Sequence, residues 1–242
     1  MKQTIFALFR QKNPDMYLGC YLGEALPDSK EEVTILASTP LDEAHRDALS
    51  LAMFNDIDFS VDRWIMDKRY IPRLLACALV FLLSYFFFSL VIRDPIPIID
   101  ELAFSTIITL FVWRFASKKD TQCVLAQKLR SELKKQASNA TVSISRELFA
   151  VESFMDECDL KDKYELGEEI CHHKLKLTVK TEGFKEQLLE YARVHSKDTY
   201  LMYQQVSEDT HHQILSAKIS DLLLQKKLDG SLLALLVAVC ES

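Results

Sequence analysis

The chain contains little glycine, with only five glycines among 242 residues. Phosphate-binding loops and dinucleotide-binding turns need closely spaced glycines, because the backbone must approach the phosphate groups. Neither pattern occurs, and the nucleophile pattern GxSxG and the zinc-protease pattern HExxH are missing as well. The sequence therefore predicts a protein that is not an enzyme and that carries no cofactor.

Patterns of metal ligands are missing too. The histidines and cysteine that come closest to a zinc pattern are Cys171, His172, His173, His211 and His212. Adjacent histidines on a strand point to opposite faces, and nothing in the sequence fixes the distance between the two groups. The acidic stretch at residues 156–169 lacks the spacing of an EF-hand loop. We therefore predict no metal site.

Disulfide and secretion patterns are also missing. The six cysteines form no CxxC pair and no disulfide-like spacing, which is typical of reduced thiols in a cytosol. The opening MKQTIFALFRQKNPD has too short an apolar core for a cleaved signal. The formal net charge is -6 and no basic, aromatic platform is present, so we expect no direct binding of nucleic acid.

A long apolar run is present, by contrast, between Leu74 and Ile92. These nineteen residues contain no charge. At about 1.5 Å per residue they approach the roughly 30 Å hydrocarbon core of a bilayer. A buried core helix is the alternative, but a soluble domain of this size rarely encloses a helix that is apolar on every face. The run predicts a transmembrane span at about residues 74–92.

A second apolar run follows, and it begins with two carboxylates. Only Leu102–Trp113 is free of charge, and twelve residues cover only about 18 Å. Proline is tolerated in the first turn of a helix, so the run can begin near residue 96. This predicts a second span at about residues 96–116, with Asp100 and Glu101 one turn inside the positive end of the helix dipole.

The distribution of basic residues predicts the orientation of the two spans. Those that flank the spans are Arg63, Lys68, Arg69 and Arg73 before the first, and Arg114, Lys118, Lys119, Lys128 and Arg130 after the second. The connecting loop contains Arg93 alone. The positive-inside rule then predicts a two-span protein of a bacterial inner membrane with both termini in the cytoplasm. Trp64 and Trp113 are the expected anchors at the cytoplasmic interface.

Polar residues within the two spans allow two interpretations. Those at helical spacing are Ser84, Ser89, Ser105 and Thr109. Small polar side chains commonly mark the packing of one membrane helix against another. Alternatively, several hairpins associate as a homo-oligomer and these residues line a pore, with Asp94, Asp100 and Glu101 as an acidic ring at its outer mouth.

The segments on either side of the spans have the patterns of folded domains. Residues 1–62 contain three apolar stretches typical of short strands and then a helix that Ser38 or Thr39 could cap. Residues 117–242 are mainly helical, with strands predicted at TVSIS and KLKLTVK. The final apolar stretch SLLALLVAVC, with Ser231 as its cap, is too short to cross a bilayer, so it should bury itself in this domain or against another subunit.

The predicted fold is therefore mostly α with minor β. A two-helix transmembrane hairpin at residues 63–116 separates a small α+β N-terminal domain, residues 1–62, from a mainly helical C-terminal domain, residues 117–242. Both flanking domains are expected to lie in the cytoplasm.

This order of parts resembles the two-transmembrane effectors of bacterial abortive-infection systems, particularly the transmembrane protein encoded beside a retron reverse transcriptase. The likeness is one of architecture across the whole chain. It implies a homo-oligomer in the lipid bilayer, kept silent by a cytoplasmic protein or ribonucleoprotein regulator such as a reverse transcriptase with its RNA and DNA product. On phage infection it would permeabilise the inner membrane. A non-catalytic membrane anchor or assembly subunit that docks cytoplasmic partners is the alternative.

Overall fold

The computed structural model describes residues 3–19, 32–91, 97–208 and 212–240. The chain is mostly helical with a small mixed sheet, and it divides into two compact units. The sheet unit consists of Met1–Gly23, Pro27–Asp56 and Lys134–Ser242, and the hairpin unit contains Ile57–Leu133. The strands are β1 (Gln3–Leu8), β2 (Met16–Leu18), β3 (Val33–Ala37) and β4 (Thr141–Ile144).

Helices account for most of the remaining described chain. In the first half of the chain they are α1 (Glu43–Lys68), α2 (Tyr70–Val91), α3 (Pro97–Thr121) and α4 (Val124–Ser138). In the second half they are α5 (Arg146–Leu160), α6 (Lys163–Cys171), α7 (Phe184–His195), α8 (Lys197–Glu208), α9 (His212–Leu224) and α10 (Gly230–Cys240). The division between the two units falls within α1 and α4.

The sheet joins the two ends of the chain. Its order is β2-β1-β3-β4, with β1 antiparallel to β2 and parallel to β3, and with β3 parallel to β4. Because β4 comes from beyond the hairpin, the structure departs from the predicted division into domains 1–62 and 117–242. The physical reason lies in the edges of β3. Within the N-terminal segment β3 pairs with β1 on one side only, and β4 provides the backbone hydrogen bonds on the other side.

The three apolar stretches predicted as strands in residues 1–62 are TIFALF, which forms β1, VTILAS, which forms β3, and MYLGCYLG, which begins with β2 and from Cys20 onward lies outside the described residues. The predicted strand TVSIS forms β4, whereas the predicted strand KLKLTVK is wrong. Residues 174–180 pair with no strand in the described chain. Their alternation instead places Leu175, Leu177 and Val179 partly inside, packed against the hydrophobic cores. The Leu177 amide donates to the Ala238 carbonyl of α10 at 3.4 Å. The alternation therefore reflects a segment that lies along a buried helix.

The apolar C-terminal stretch forms the centre of the sheet unit. Every residue of α10 from Ser231 to Ala238 is buried, and the helix packs against α5, α6, α7 and α8. The prediction that this helix buries itself in its own domain is confirmed. The predicted cap Ser231 is wrong, because the carboxylate of Asp229 accepts the Leu232 amide at 3.1 Å.

Helix α1 also begins later than the sequence suggested. Asp42 accepts the His45 amide at 2.8 Å, so Asp42 caps the helix in place of the predicted Ser38 or Thr39. In the sequence, Leu41, His45, Leu49 and Met53 recur every four residues, which predicts a helix with one buried stripe, and this spacing continues along α1. The residues that it buries are Leu49, Met53, Ile57, Val61 and Ile65.

In the hairpin unit, α2 and α3 pack against each other in opposite directions. Arg73 near the start of α2 bonds to Ser117 near the end of α3, and Phe88 near the end of α2 contacts Phe104, with ring centroids 5.6 Å apart. Within the described residues one helix, Tyr70–Leu90, is long and apolar enough to cross a membrane, and only 11% of it is buried. The first predicted span is thus a suitable helix. Helix α3 begins at Pro97, as the proline argument predicted, while its crossing of a membrane stays a prediction.

Candidate functional site

The outward surface of the hairpin unit is strongly apolar. Large side chains on both helices are largely exposed, including Leu90 at 81% and Phe111 at 72%. A continuous apolar surface of this length is unfavourable in water and typical of contact with lipid or with another protein. The hairpin unit therefore has an outer surface suited to contact with lipid or with another protein.

The inner face of the hairpin unit contains polar residues. Ser105 is fully buried and Glu101 is 1% exposed, although both lie on a helix whose other faces are open. Asp100, beside Glu101, is exposed. Asp94 lies outside the described residues. The three residues of the predicted acidic ring therefore do not share one environment, since Glu101 is enclosed and Asp100 is open.

The hydroxyl residues predicted to lie along the two spans also differ in their exposure to solvent. Ser84 and Thr109 are half-buried, Ser105 is buried and Ser89 is exposed. Thr109 Oγ1 donates to the Ser105 carbonyl at 2.7 Å, so its hydroxyl is satisfied within its own helix. In this conformation Glu101 and Ser105 are enclosed by the packing of the hairpin.

Two of these enclosed groups lack hydrogen bonds. No residue of the described chain bonds to Glu101 Oε1 or to Ser105 Oγ. The two residues are one helical turn apart, so they lie on the same face of α3. A buried polar group without a partner costs roughly 1–3 kcal/mol, and more when it is charged. The packing of α2 against α3 thus encloses two polar atoms whose lack of partners lowers its stability.

The opposite end of the hairpin unit is held by an ionic network. Arg73 is 5% exposed, and it donates to Ser117 Oγ while its guanidinium lies 4.8 Å from the centre of the Trp113 ring. Asp120 accepts from Arg69 at 2.8 Å and lies 3.9 Å from Arg73 Nε. This pairing joins positions about fifty residues apart, so the local pattern of arginines predicts an orientation but not the pairing itself.

Aromatic residues accompany this network. The ring centroids of Trp113 and Tyr70 are 5.8 Å apart in an edge-to-face arrangement, and the Lys68 ammonium lies 4.5 Å from the Trp64 ring. Tryptophan and tyrosine favour the headgroup layer of a bilayer, where one side of the ring is apolar and the other is wet. Their role as interface anchors stays a prediction.

The sheet unit has a pocket at the end of its parallel strands. Strands β1 and β3 run in the same direction, and the pocket, of about 330 Å³, lies just beyond their carboxyl ends, the usual location of ligand sites in parallel sheets. Its lining includes Phe9, Ser38, His45 and Glu152. These residues come from three separate segments, so no local motif could have indicated the pocket.

The polar groups of this pocket are partly paired. Glu152 accepts the Phe9 amide at 2.8 Å, and burial raises the pKa of its carboxyl despite that bond. His45 Nδ1 lies 2.6 Å from Asp42 Oδ1, and hydrogen bonds from His45 lower the pKa of Asp42. The described residues contain no cluster of side chains that could hold a metal ion. The arrangement offers a carboxyl that holds its proton more tightly than an exposed carboxyl does.

A buried arginine joins the elements around α10. Arg10 follows β1, its side chain is 2% exposed, and it forms two hydrogen bonds with Asp229, at 2.7 and 3.0 Å. It also lies 3.5 Å from Asp159 of α5 and donates to Ser231. Burial lowers the pKa of Arg10, but the hydrogen bonds and negative charges of the two aspartates outweigh it and raise the pKa overall. This network was not predicted, because its members are far apart in sequence.

Comparison with known proteins finds no family model, no curated protein and no solved structure that matches this chain. The resemblance to abortive-infection effectors therefore remains a resemblance of architecture, and a function based on it is a proposal.

Proposed function

We propose that the chain is a membrane effector of anti-phage defence that permeabilises the bacterial inner membrane when it is activated. The observation that carries this proposal is the enclosed Glu101, whose Oε1 has no hydrogen-bond partner among the described residues, together with the equally unpartnered hydroxyl of Ser105. Ionisable residues within membrane segments are expensive, and they usually mark an ion path or a partner. An inert anchor has no need of one.

The position of these groups favours a hairpin with two arrangements. In the closed arrangement Glu101 and Ser105 are shielded from solvent, at a cost in stability. If several subunits reassociate so that this face of α3 lines a water-filled path, both groups become hydrated. Two helices alone enclose no channel, so the open arrangement requires a homo-oligomer. Activation then means that a cytoplasmic protein or ribonucleoprotein regulator no longer holds the closed state.

A non-catalytic membrane anchor is the second candidate, and one observation favours it. The network of Arg69, Arg73, Ser117 and Asp120 closes the basic end of the hairpin, and such a closed pair is a stable attachment for the sheet unit. In this case the two helices hold the sheet unit at the membrane, where it docks cytoplasmic partners.

The test compares two adjacent carboxylates in cells. The intact gene is induced and the membrane potential is followed with a voltage-sensitive dye. Glu101→Gln removes the enclosed charge, stabilises the closed hairpin and should slow depolarisation by roughly tenfold, the equivalent of about 1.4 kcal/mol. Asp100→Asn is the matched control. It removes a charge of the same sign from the exposed neighbouring position and should leave the rate within about twofold.

The same experiment separates the effector from the anchor. A variant in which α2 and α3 are replaced by an unrelated apolar hairpin should not depolarise the membrane. If that variant depolarises as fast as the natural chain, the effector proposal is wrong. If Glu101→Gln and Asp100→Asn both behave as the natural chain does, Glu101 has no part in permeation.

A further inference from the structure

The sheet unit contains a second pocket, of about 500 Å³, whose wall is rich in lysine. Pockets of this size are typical of sites for small molecules. The residues that line it are Lys12, Asn13, Asp159, Lys163, Leu223, Lys226, Lys227, Leu228, Asp229 and Gly230. Four lysines therefore line one cavity, although the chain as a whole is acidic, with a formal net charge of -6.

The two carboxylates of the pocket wall do not neutralise these lysines. Asp229 receives two hydrogen bonds from Arg10, and Asp159 accepts from Asn13 at 2.7 Å and faces Arg10 at 3.5 Å. Within the described chain, no carboxylate lies within ion-pair distance of the four lysines. The Lys163 ammonium lies 3.4 Å from the Asp159 carbonyl. The four lysines thus outnumber the two carboxylates of the pocket wall, and both carboxylates already face Arg10.

The backbone turn after α9 fixes the positions of two of the four lysines, Lys226 and Lys227. After α9 the amides of Lys226 and Lys227 donate to the carbonyls of Leu223 and Leu222, at 3.1 and 3.0 Å. Lys226 has φ of 54°, the left-handed conformation that closes a helix. This turn fixes the starting points of the two lysine side chains beside each other. A site whose charges are positioned before binding loses less entropy when a ligand arrives.

Two helices begin at the pocket as well. Lys163 is the first residue of α6 and Gly230 is the first residue of α10. The start of a helix carries a partial positive charge, which adds to that of the lysines, although Asp162 and Asp229 cap part of it. Leu223 and Leu228 provide an apolar wall on which a non-phosphate portion of a ligand could lie.

We propose that this pocket binds a small soluble molecule that carries at least two adjoining phosphate groups. Lysine ammonium groups bind phosphate oxygens as point charges, and a single phosphate would leave most of the four unpaired. The site belongs to the sheet unit alone, and it does not depend on what the hairpin does. Phosphate groups also occur on lipid headgroups, and the experiment distinguishes that source.

Binding is measured by isothermal titration calorimetry on the full-length chain in a neutral detergent, with inorganic pyrophosphate as the probe. Inorganic phosphate is titrated for comparison. Dihexanoyl phosphatidylglycerol, below its micelle concentration, represents a lipid headgroup. The variant is Lys226→Gln with Lys227→Gln, and a second variant, Lys12→Gln, changes a different part of the wall. The matched control is Lys174→Gln with Lys176→Gln, which removes the same charge from exposed positions outside the pocket.

We expect pyrophosphate to bind more tightly than phosphate, and binding to weaken as NaCl rises from about 50 to about 300 mM. Loss of each ammonium group should weaken binding by about tenfold, whereas the control should change it by less than about twofold. The proposal is overturned if pyrophosphate does not bind at millimolar concentration, if the control weakens binding as much as the pocket variants do, or if only the lipid binds.

Discussion

Replacement of Arg10 by methionine should strongly destabilise the sheet unit. Methionine is similar in length but cannot pair with a carboxylate. The change would leave Asp159 and Asp229, whose side chains are only 9% and 27% exposed, without their shared cation. Removal of one partner from a buried ion pair costs about 3–5 kcal/mol, because the remaining charge is buried and uncompensated.

The predicted loss of folding free energy is large enough to measure as a shift of the thermal midpoint. For a unit of about 150–250 residues, 1 kcal/mol shifts the thermal midpoint by roughly 2–4 °C, so the midpoint of Arg10→Met should fall by roughly 6–20 °C. Differential scanning fluorimetry in detergent would record it. The matched control is Arg146→Met, which removes an exposed arginine and should change stability by less than about 0.5 kcal/mol.

The effect should also depend on pH. Burial raises the pKa of Asp229, but the hydrogen bonds and charge of Arg10 outweigh it and hold the pKa below its usual value. The carboxylate therefore contributes stability that is present above the unfolded pKa of about 4 and is lost as the pH falls through the folded pKa. The difference between Arg10→Met and the natural chain should then be largest near pH 7 and should shrink at more acidic pH.

A second substitution tests the cause. Asp229→Asn in the Arg10→Met background removes one stranded charge and keeps an oxygen for the Leu232 amide, so it should restore part of the stability. If Arg10→Met lowers the midpoint by less than about 3 °C at pH 7, or if Asp229→Asn lowers it further in that background, the reasoning is refuted.

Two further predictions concern buried titratable groups. Burial raises the pKa of the Cys158 thiol to about 12, so N-ethylmaleimide at pH 7.5 should modify the half-exposed Cys123 well before Cys158, and peptide mass spectrometry should find equal labelling only after denaturation. Equal rates in the folded protein would contradict the burial of Cys158. Burial likewise raises the pKa of Glu152, so the folded state binds its proton more tightly than the unfolded chain does, and stability falls as the pH rises between the unfolded and folded pKa values. Glu152→Gln keeps an acceptor for the Phe9 amide but cannot ionise. Compared with the natural chain, the variant should therefore gain more in thermal midpoint at pH 7 than at pH 4. A midpoint lower than that of the natural chain at pH 7 would contradict this account.

Local patterns in the sequence predicted much of the secondary structure. The four-residue spacing of α1 appears as its buried stripe, and the strand patterns of β1, β3 and β4 appear as strands. The apolar α10 is buried in its own domain, as its length required. These features depend on neighbours within one or two turns, and periodicity records such neighbours directly.

The parts that the sequence did not predict depend on distant residues. The pairing of β3 with β4 joins segments more than a hundred residues apart, and Arg10 bonds to Asp229 across 219 positions. The alternation at residues 174–180 predicts a strand, because an alternating pattern does not show whether the element that buries it is another strand or a helix. The position of Glu101 in the first turns of α3 follows from the local pattern, but its burial depends on the packing of α3 against α2.

The order of the segments along the chain has a consequence for synthesis. Strands β1 and β3 leave the ribosome first, the hairpin follows, and only then does the chain supply β4 and Asp229. Until that moment one edge of β3 is open and Arg10 is unpaired, and such an intermediate invites aggregation and proteolysis. A translation product that stops inside or just after the two apolar helices cannot complete its sheet. Degradation would therefore remove interrupted copies that contain the two apolar helices without a completed sheet.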